Sequence, residues 1–225
     1  MKSSIASYAL AALILWLAAC AKDNYKMPNA VLTGRVVYQG QPVGVRSNGV
    51  QLELWQHGYQ VFSKIPVYVA QDGTFSASLF DGNYKLVQLK GNGPWVDKAD
   101  SVDVTVKGLT TVDMPVTPYF TISGETFTKS GTTVTASGKI TKVSTNTIER
   151  VSLYIGTTTI VDATNNGAVS NQTGAALADL SQPINFSVTL PTSLAGRDYV
   201  YARIGVKTLG TGEMLYTQPQ KIVLK

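Results

Sequence analysis

From Ala30 onward the sequence is organised by a period of two. Val50, Leu52 and Leu54 alternate with Gln51 and Glu53. Ile184, Phe186, Val188 and Leu190 alternate with Asn185, Ser187 and Thr189, and Val200, Ala202, Ile204 and Val206 alternate with Tyr201, Arg203 and Gly205. Successive side chains of a strand point to opposite faces, so this pattern reads as strands with one buried and one wet face. Residues that tolerate positive φ punctuate the runs, at Asp72-Gly73, Asp81-Gly82-Asn83, Gly91-Asn92-Gly93-Pro94 and Asn165-Asn166-Gly167. The single helical candidate is Ala175 to Leu180. Strands recurring every ~8 to 12 residues with almost no helix predict an all-β protein of packed sheets.

Roughly fourteen strands over about 200 residues suit two tandem β-sandwiches of ~100 residues each. Met114-Pro115-Val116-Thr117-Pro118-Tyr119 carries two prolines that stiffen a connector and remove ladder donors. The boundary is therefore expected here, with one sandwich over 30–116 and a second over 117–225.

The residues before Ala30 read as an address. Met1-Lys2 is a short positive start, and Ile5 to Ala19 is an apolar run broken only by Ser7 and Tyr8. A spanning helix needs ~20 apolar residues, so this run fits a secretory signal peptide over 1–19. It ends in Leu17-Ala18-Ala19-Cys20, which resembles the bacterial lipobox. That resemblance implies cleavage before Cys20 and lipid attachment to it. Each buried CH₂ of a lipid chain contributes ~0.8 kcal/mol, so two or three chains would anchor the protein to a membrane. An ordinary signal peptide with an incidental cysteine is the alternative. Residues 20–29, polar and ending in Met27-Pro28-Asn29, read as a tether.

Composition excludes several chemistries. The 225 residues include one Cys and one His, which leaves no disulfide framework, thiolate cluster or multi-histidine metal centre. The net charge of +5 comes from scattered Lys and Arg with no basic run, so nucleic acid is not an expected partner. No nucleophile motif or phosphate loop is present, and Glu53, Glu125, Glu149 and Glu213 are dispersed. The expectation is a protein without catalysis and without a cofactor. His57, in Gln56-His57-Gly58, reads as an exposed turn rather than a base. Asp97, Asp100 and Asp103 are the nearest approach to a cation loop, but Lys98 lies among them and the further ligands of a Ca²⁺ loop are missing.

The first half resembles the prealbumin-like, carboxypeptidase-regulatory sandwich. The resemblance lies in Leu32-Thr33-Gly34-Arg35-Val36, Val67-Tyr68-Val69, Asp72-Gly73-Thr74-Phe75 and Leu79-Phe80-Asp81-Gly82-Asn83-Tyr84. It implies that Phe75 and Tyr84 fill the core. Gly58-Tyr59, Gly93-Pro94-Trp95 and Val112-Asp113-Met114-Pro115-Val116-Thr117-Pro118-Tyr119, taken with those segments, resemble the domain-of-unknown-function 3823 family of Bacteroidota lipoproteins over most of 30–120. The family resemblance implies a fibronectin type III or immunoglobulin-like second sandwich. Its central strands would be Val134 to Ile140 and Val151 to Ile155. The Asp162 to Pro183 stretch departs from that pattern, being too long for an ordinary sandwich loop.

Sugars stack on aromatic faces while polar groups take their hydroxyls, which singles out Trp95 with Asn92 and Asp97, and Tyr59 beside the His57 turn. Trp95 could equally cap the end of the core, and Trp55, on the strand face opposite Leu52 and Leu54, is the weaker aromatic candidate. The family resemblance implies an outer-membrane or surface lipoprotein that binds glycan or acts as a scaffold in a polysaccharide-uptake system of the starch-utilisation type. Its partners there would be a polysaccharide, an outer-membrane transporter and the transporter's binding lipoprotein. An adhesin or pilus-type subunit, with a removable first strand near Val31 to Tyr38, is the alternative.

Overall fold

A computed structural model describes residues 26–58 and 63–225. The signal segment, Cys20 and Tyr59 lie outside these residues. The all-β expectation holds, with strands running in four sheets that form two tandem sandwiches.

The first sandwich is built from β1 (Ala30–Tyr38), β2 (Gln41–Pro42), β3 (Gln51–Trp55), β4 (Lys64–Tyr68), β5 (Thr74–Leu79), β6 (Gly82–Gln88), β7 (Ser101–Val106) and β8 (Leu109–Pro115). One sheet is centred on β1, which pairs with β5 and β2 in antiparallel register and with β8 in parallel. The other runs β4-β3-β6-β7. Leu32, Val36, Leu52, Leu54 and Leu86 fill the space between them, fully buried, and Phe75 and Tyr84 join them as the family resemblance implied. β1 is bonded to strands on both edges, so the removable first strand of the pilus-type reading would here be the one that joins β5 to β8.

The second sandwich comprises β9 (Phe120–Ser130), β10 (Thr133–Lys142), β11 (Ile148–Gly156), β12 (Ala168–Gln172), β13 (Ile184–Thr189), β14 (Tyr199–Thr208), β15 (Met214–Tyr216) and β16 (Gln220–Val223). Its sheets run β13-β10-β9 and β12-β11-β14, with β15 and β16 sharing the far edge of β14. The two strands expected to be central are so, but in different sheets. Val134 and Ile140 of β10 face Val151, Leu153 and Ile155 of β11 across the core instead of pairing with them.

The long Asp162 to Pro183 stretch also resolves into structure. It supplies edge strand β12 and a short 3-10 turn at Gly174–Leu177, close to the expected helical segment. Asp162 folds its start, accepting from Thr164 N at 2.8 Å and Asn165 N at 2.9 Å. One further helical turn, α1 (Thr192–Ala195), was not visible as a pattern in the sequence because it is a single turn that buries only Leu194.

Candidate functional site

The loop expected to carry a sugar platform is a structural brace. Trp95 is 1% exposed, so neither face of its indole is available for stacking, and the expectation for this residue is corrected. The cause lies in the backbone. Residues 94–96 bond to the connector between the sandwiches, with Val96 N donating to Thr117 O at 2.9 Å and Tyr119 N to Pro94 O at 3.2 Å. That pairing turns the ring inward, over Gly93. A Cβ on Gly93 would sit 2.1 Å from an indole carbon, so only glycine fits beneath the ring. Asn92 is likewise committed, its Oδ1 accepting from Gln51 N at 2.5 Å and its Nδ2 donating to Gly49 O at 3.3 Å. Asp97 accepts from Gly91 N at 2.8 Å. These three residues close the end of the first sandwich.

The other sequence candidates separate. Asp103 takes Lys85 Nζ at 2.6 Å on the face of the sheet, away from the bond Asp97 makes. No trio of His, Cys, Asp or Glu among the described residues could hold a metal ion. His57 is exposed and shares a shallow cleft with a half-buried Trp55, Asn83 and Lys85.

The most constructed concavity lies where the two sandwiches meet. Its floor is rigid because the domains are joined through main chain as well as side chains. Tyr216 N of β15 donates to Gly44 O at 2.9 Å, a strand-like bridge between the domains. A Cβ on Gly44 would come within 2.4 Å of Tyr216 O, so glycine permits this approach. Beneath the bridge Arg203 of β14 is fully buried. Its guanidinium donates to Thr217 O at 2.8 Å, to Val45 O at 3.2 Å and to Gln71 O at 3.1 Å, with the Tyr216 ring centroid 4.6 Å away. Burial lowers its pKa to about 10, opposed by the fields of Tyr216, Asp162 and Asp72, so it remains charged at neutral pH. One cation thus satisfies carbonyls from both sandwiches. Arg46 reaches across to Glu213 in a two-pronged pair at 2.5 and 3.1 Å, and that bond raises the Arg46 pKa.

Above this floor opens a groove of about 480 Å³, edged by Tyr38, Gln39 and Gln41 of the first sandwich and by Ser123, Glu125 and Gln218 of the second. Gln39 and Gly40 form the two-residue tip of the β1–β2 hairpin with φ of 50° and 77°. A non-glycine residue in the left-handed region costs ~1 kcal/mol or more, and glutamine lacks the short side chain that lets asparagine recover it. Its amide nitrogen is directed at the Tyr38 hydroxyl, 3.4 Å away. Amides, a hydroxyl and one carboxylate around an aromatic ring suit an uncharged, hydroxyl-rich ligand. No local sequence signal marks this groove, because its two walls lie far apart in the chain, one ending at Gly44 and the other starting at Pro118.

Two family models cover nearly all of the described chain, an N-terminal domain of a protein of unknown function, DUF3823, over residues 30–117 and the DUF3823 C-terminal domain over 120–221. No curated protein matches it. Among solved structures it is similar to a DUF3823 family protein of Bacteroides ovatus, with 40% identity and a TM-score of 0.82, over 87% of this chain and 100% of that one. A DUF3823 family protein of Parabacteroides merdae gives 38% identity and a TM-score of 0.81, over 88% of this chain and 100% of that one. A protein of Bacteroides uniformis described as a "putative carbohydrate binding protein" shares the fold at 20% identity and a TM-score of 0.72, over 88% of this chain and all of that one. The protein is a member of the DUF3823 family, matching it through both of its sandwiches.

Proposed function

We propose that this protein is a non-catalytic glycan-binding accessory of a polysaccharide-uptake system, held on the outer membrane or cell surface by lipid on Cys20. The observation that carries the reading is the junction groove, a preformed concavity at a domain interface lined by amide, hydroxyl and carboxylate groups around Tyr38. Gln39 holds a costly backbone conformation at its rim, and strain of that kind gathers where a binding surface must be preshaped. Tyr38 supplies an apolar face for the C–H groups of a sugar ring, and the glutamines both donate and accept toward its hydroxyls. The description given to the Bacteroides uniformis neighbour points the same way, although at 20% identity it speaks for the fold alone.

The lining of the groove supports a binding role. Among the described residues its lining carries one carboxylate, Glu125, whereas glycoside hydrolysis in most families uses a pair. The lipid would place the groove near a transporter and its binding lipoprotein, where holding a polysaccharide serves uptake without cleaving it.

Native electrophoresis of the full-length protein in detergent, through gels containing amylopectin, xyloglucan, yeast α-mannan or chondroitin sulfate, tests the groove. Retardation by a neutral polysaccharide, reduced in Gln41→Ala and Glu125→Ala, supports the reading. Equal mobility in every gel overturns it. Incorporation of labelled palmitate, abolished by Cys20→Ser, tests the anchor independently.

A further inference from the structure

A second cleft lies on the first sandwich, where edge strand β4 of one sheet meets β5 of the other. It has a volume of about 500 Å³, and none of its walls belongs to the junction groove. Tyr68 forms one side. Val67 and Val69 on either side of it are buried, so alternation sends Tyr68 outward, where it is 53% exposed. It contributes little to the core, and an aromatic ring is a large side chain to leave in water.

The opposite side is built across strands. Arg35 of β1 stands in register with Asp113 of β8 and Thr74 of β5, and the next outward rung is Thr111, Thr33 and Ser76. Asp113 holds the guanidinium by two bonds, Nη2 to Oδ2 at 2.8 Å and Nε to Oδ1 at 3.3 Å. The pair fixes an ionic acceptor next to an ionic donor on a half-exposed surface. The Thr33 and Thr111 hydroxyls lie 3.0 Å apart beneath it. Asn48 completes the rim from a left-handed turn with φ 56°.

We infer that this cleft is a second carbohydrate subsite, taking a neutral pyranose with adjacent hydroxyl groups. The inference rests on the glycan-binding reading and specifies part of its ligand. The Tyr68 ring receives the apolar face of the sugar. Adjacent hydroxyls each present a donor and an acceptor, and the Arg35–Asp113 pair matches that order with a guanidinium beside a carboxylate. The two charges compensate each other, which selects against an anionic sugar. The open shape fits one or two residues of a chain that continues past the cleft, and two sites on one protein increase retention of a polymer over that of a short oligosaccharide.

The same electrophoresis separates this inference from the reading beneath it. With amylopectin, xyloglucan and α-mannan as probes, Tyr68→Ala is expected to weaken retardation about tenfold, and Tyr68→Phe to retain it. Asp113→Asn, which keeps the shape but removes the charge, is expected to weaken it as well. Binding by Tyr68→Ala equal to wild type, with loss in Gln41→Ala, overturns the subsite and leaves the groove standing. Retardation by chondroitin sulfate alone overturns the neutral-sugar assignment. Failure of the wild type to bind any of the four probes removes both. Because Tyr68 is exposed, Tyr68→Ala is expected to melt within about 4 °C of the wild type, so that at the temperature of the gel it is folded and its lost retardation reports on the cleft; a larger fall, or lost retardation in Tyr68→Phe as well, overturns the stacking role.

Discussion

Trp95 and Tyr68 are both aromatic and both in the first sandwich, yet one is 1% exposed and the other 53%. The Trp95 turn is rich in glycine and asparagine and has every local mark of an open loop. Its backbone is nevertheless recruited by the connector at Thr117 to Tyr119, and once 94–96 behaves as a strand its side chain has to face inward. Tyr68 lies on a regular strand whose parity is set by Val67 and Val69. Exposure therefore follows what the backbone pairs with. A turn-rich sequence does not by itself give an aromatic residue to solvent.

The contrast breaks most visibly at Trp95. Trp95→Ala removes a fully buried indole at the end of the core, and truncations of that kind cost ~3–5 kcal/mol. At ~2–4 °C per kcal/mol for a protein of this size, calorimetry should show Tm falling by roughly 10 °C. A melting point within a degree of wild type would mean that the ring is not part of the core. Among the described residues Trp95 Nε1 has no hydrogen-bond partner, so Trp95→Phe is expected to recover much of the loss.

A smaller effect is expected at the junction, where the question is whether the two sandwiches behave as one body. Arg203→Met keeps the stem of the side chain and withdraws donors from Val45, Gln71 and Thr217. Each buried carbonyl left unsatisfied costs ~1–3 kcal/mol, offset in part because a buried charge is no longer desolvated. The net expectation is ~2 kcal/mol of lost stability. A single urea transition in the wild type should broaden or split into two in the variant, one for each sandwich. Retention of one sharp transition would show that Arg46–Glu213 and the Gly44–Tyr216 bridge suffice to couple them.

These junction residues also mark the limit of what the sequence showed. Alternation placed Arg203 correctly on the face of β14 opposite Val200, Ala202, Ile204 and Val206. That face was expected to be polar and wet, and the first sandwich covers it instead. Period-two reading assigns direction along one strand and carries no information about a second domain docking on it. The two sandwiches and the core positions of Phe75 and Tyr84 rest on local pattern and were legible. The groove was not, since Gln39 and Gln218 come together only through the docking. The exposure of Tyr68 is legible in sequence, because Val67-Tyr68-Val69 fixes its parity, whereas the turn composition around Trp95 carries no sign of the pairing that buries it.

Alkaline pH should shift the junction modestly, and the two buried groups act in opposite directions. Burial raises the pKa of Tyr216 well above its ordinary value near 10. Above pH 10 the unfolded chain loses this proton while the native state keeps it, so stability present below pH 10 is lost as pH rises. Burial lowers the Arg203 pKa to about 10, so above that pH the unfolded chain holds a proton that the native state gives up, and this group's contribution to stability rises with pH. Tyr216→Phe removes the first contribution and leaves the second. Its stability, relative to its own value at pH 8, should decline less steeply than wild type between pH 10 and 11. Parallel curves would mean that the tyrosine is solvated in the native state.

The smallest effect on stability belongs to Tyr68, and that smallness is its half of the contrast with Trp95. Half of the ring is already in water, so truncation to alanine removes little buried area, and the remaining cost is the weaker strand preference of alanine. The sum should stay below ~1 kcal/mol, within about 4 °C in a melting experiment. A loss comparable to that of Trp95→Ala would show that the ring braces the seam between β4 and β5 and is held there by packing. Near-neutrality leaves the packing of the sandwich with no need for an aromatic residue here. Arg35 and Asn48, which share the cleft with it, and Asp113, which pairs with Arg35, are then the groups that a ligand on the ring would meet.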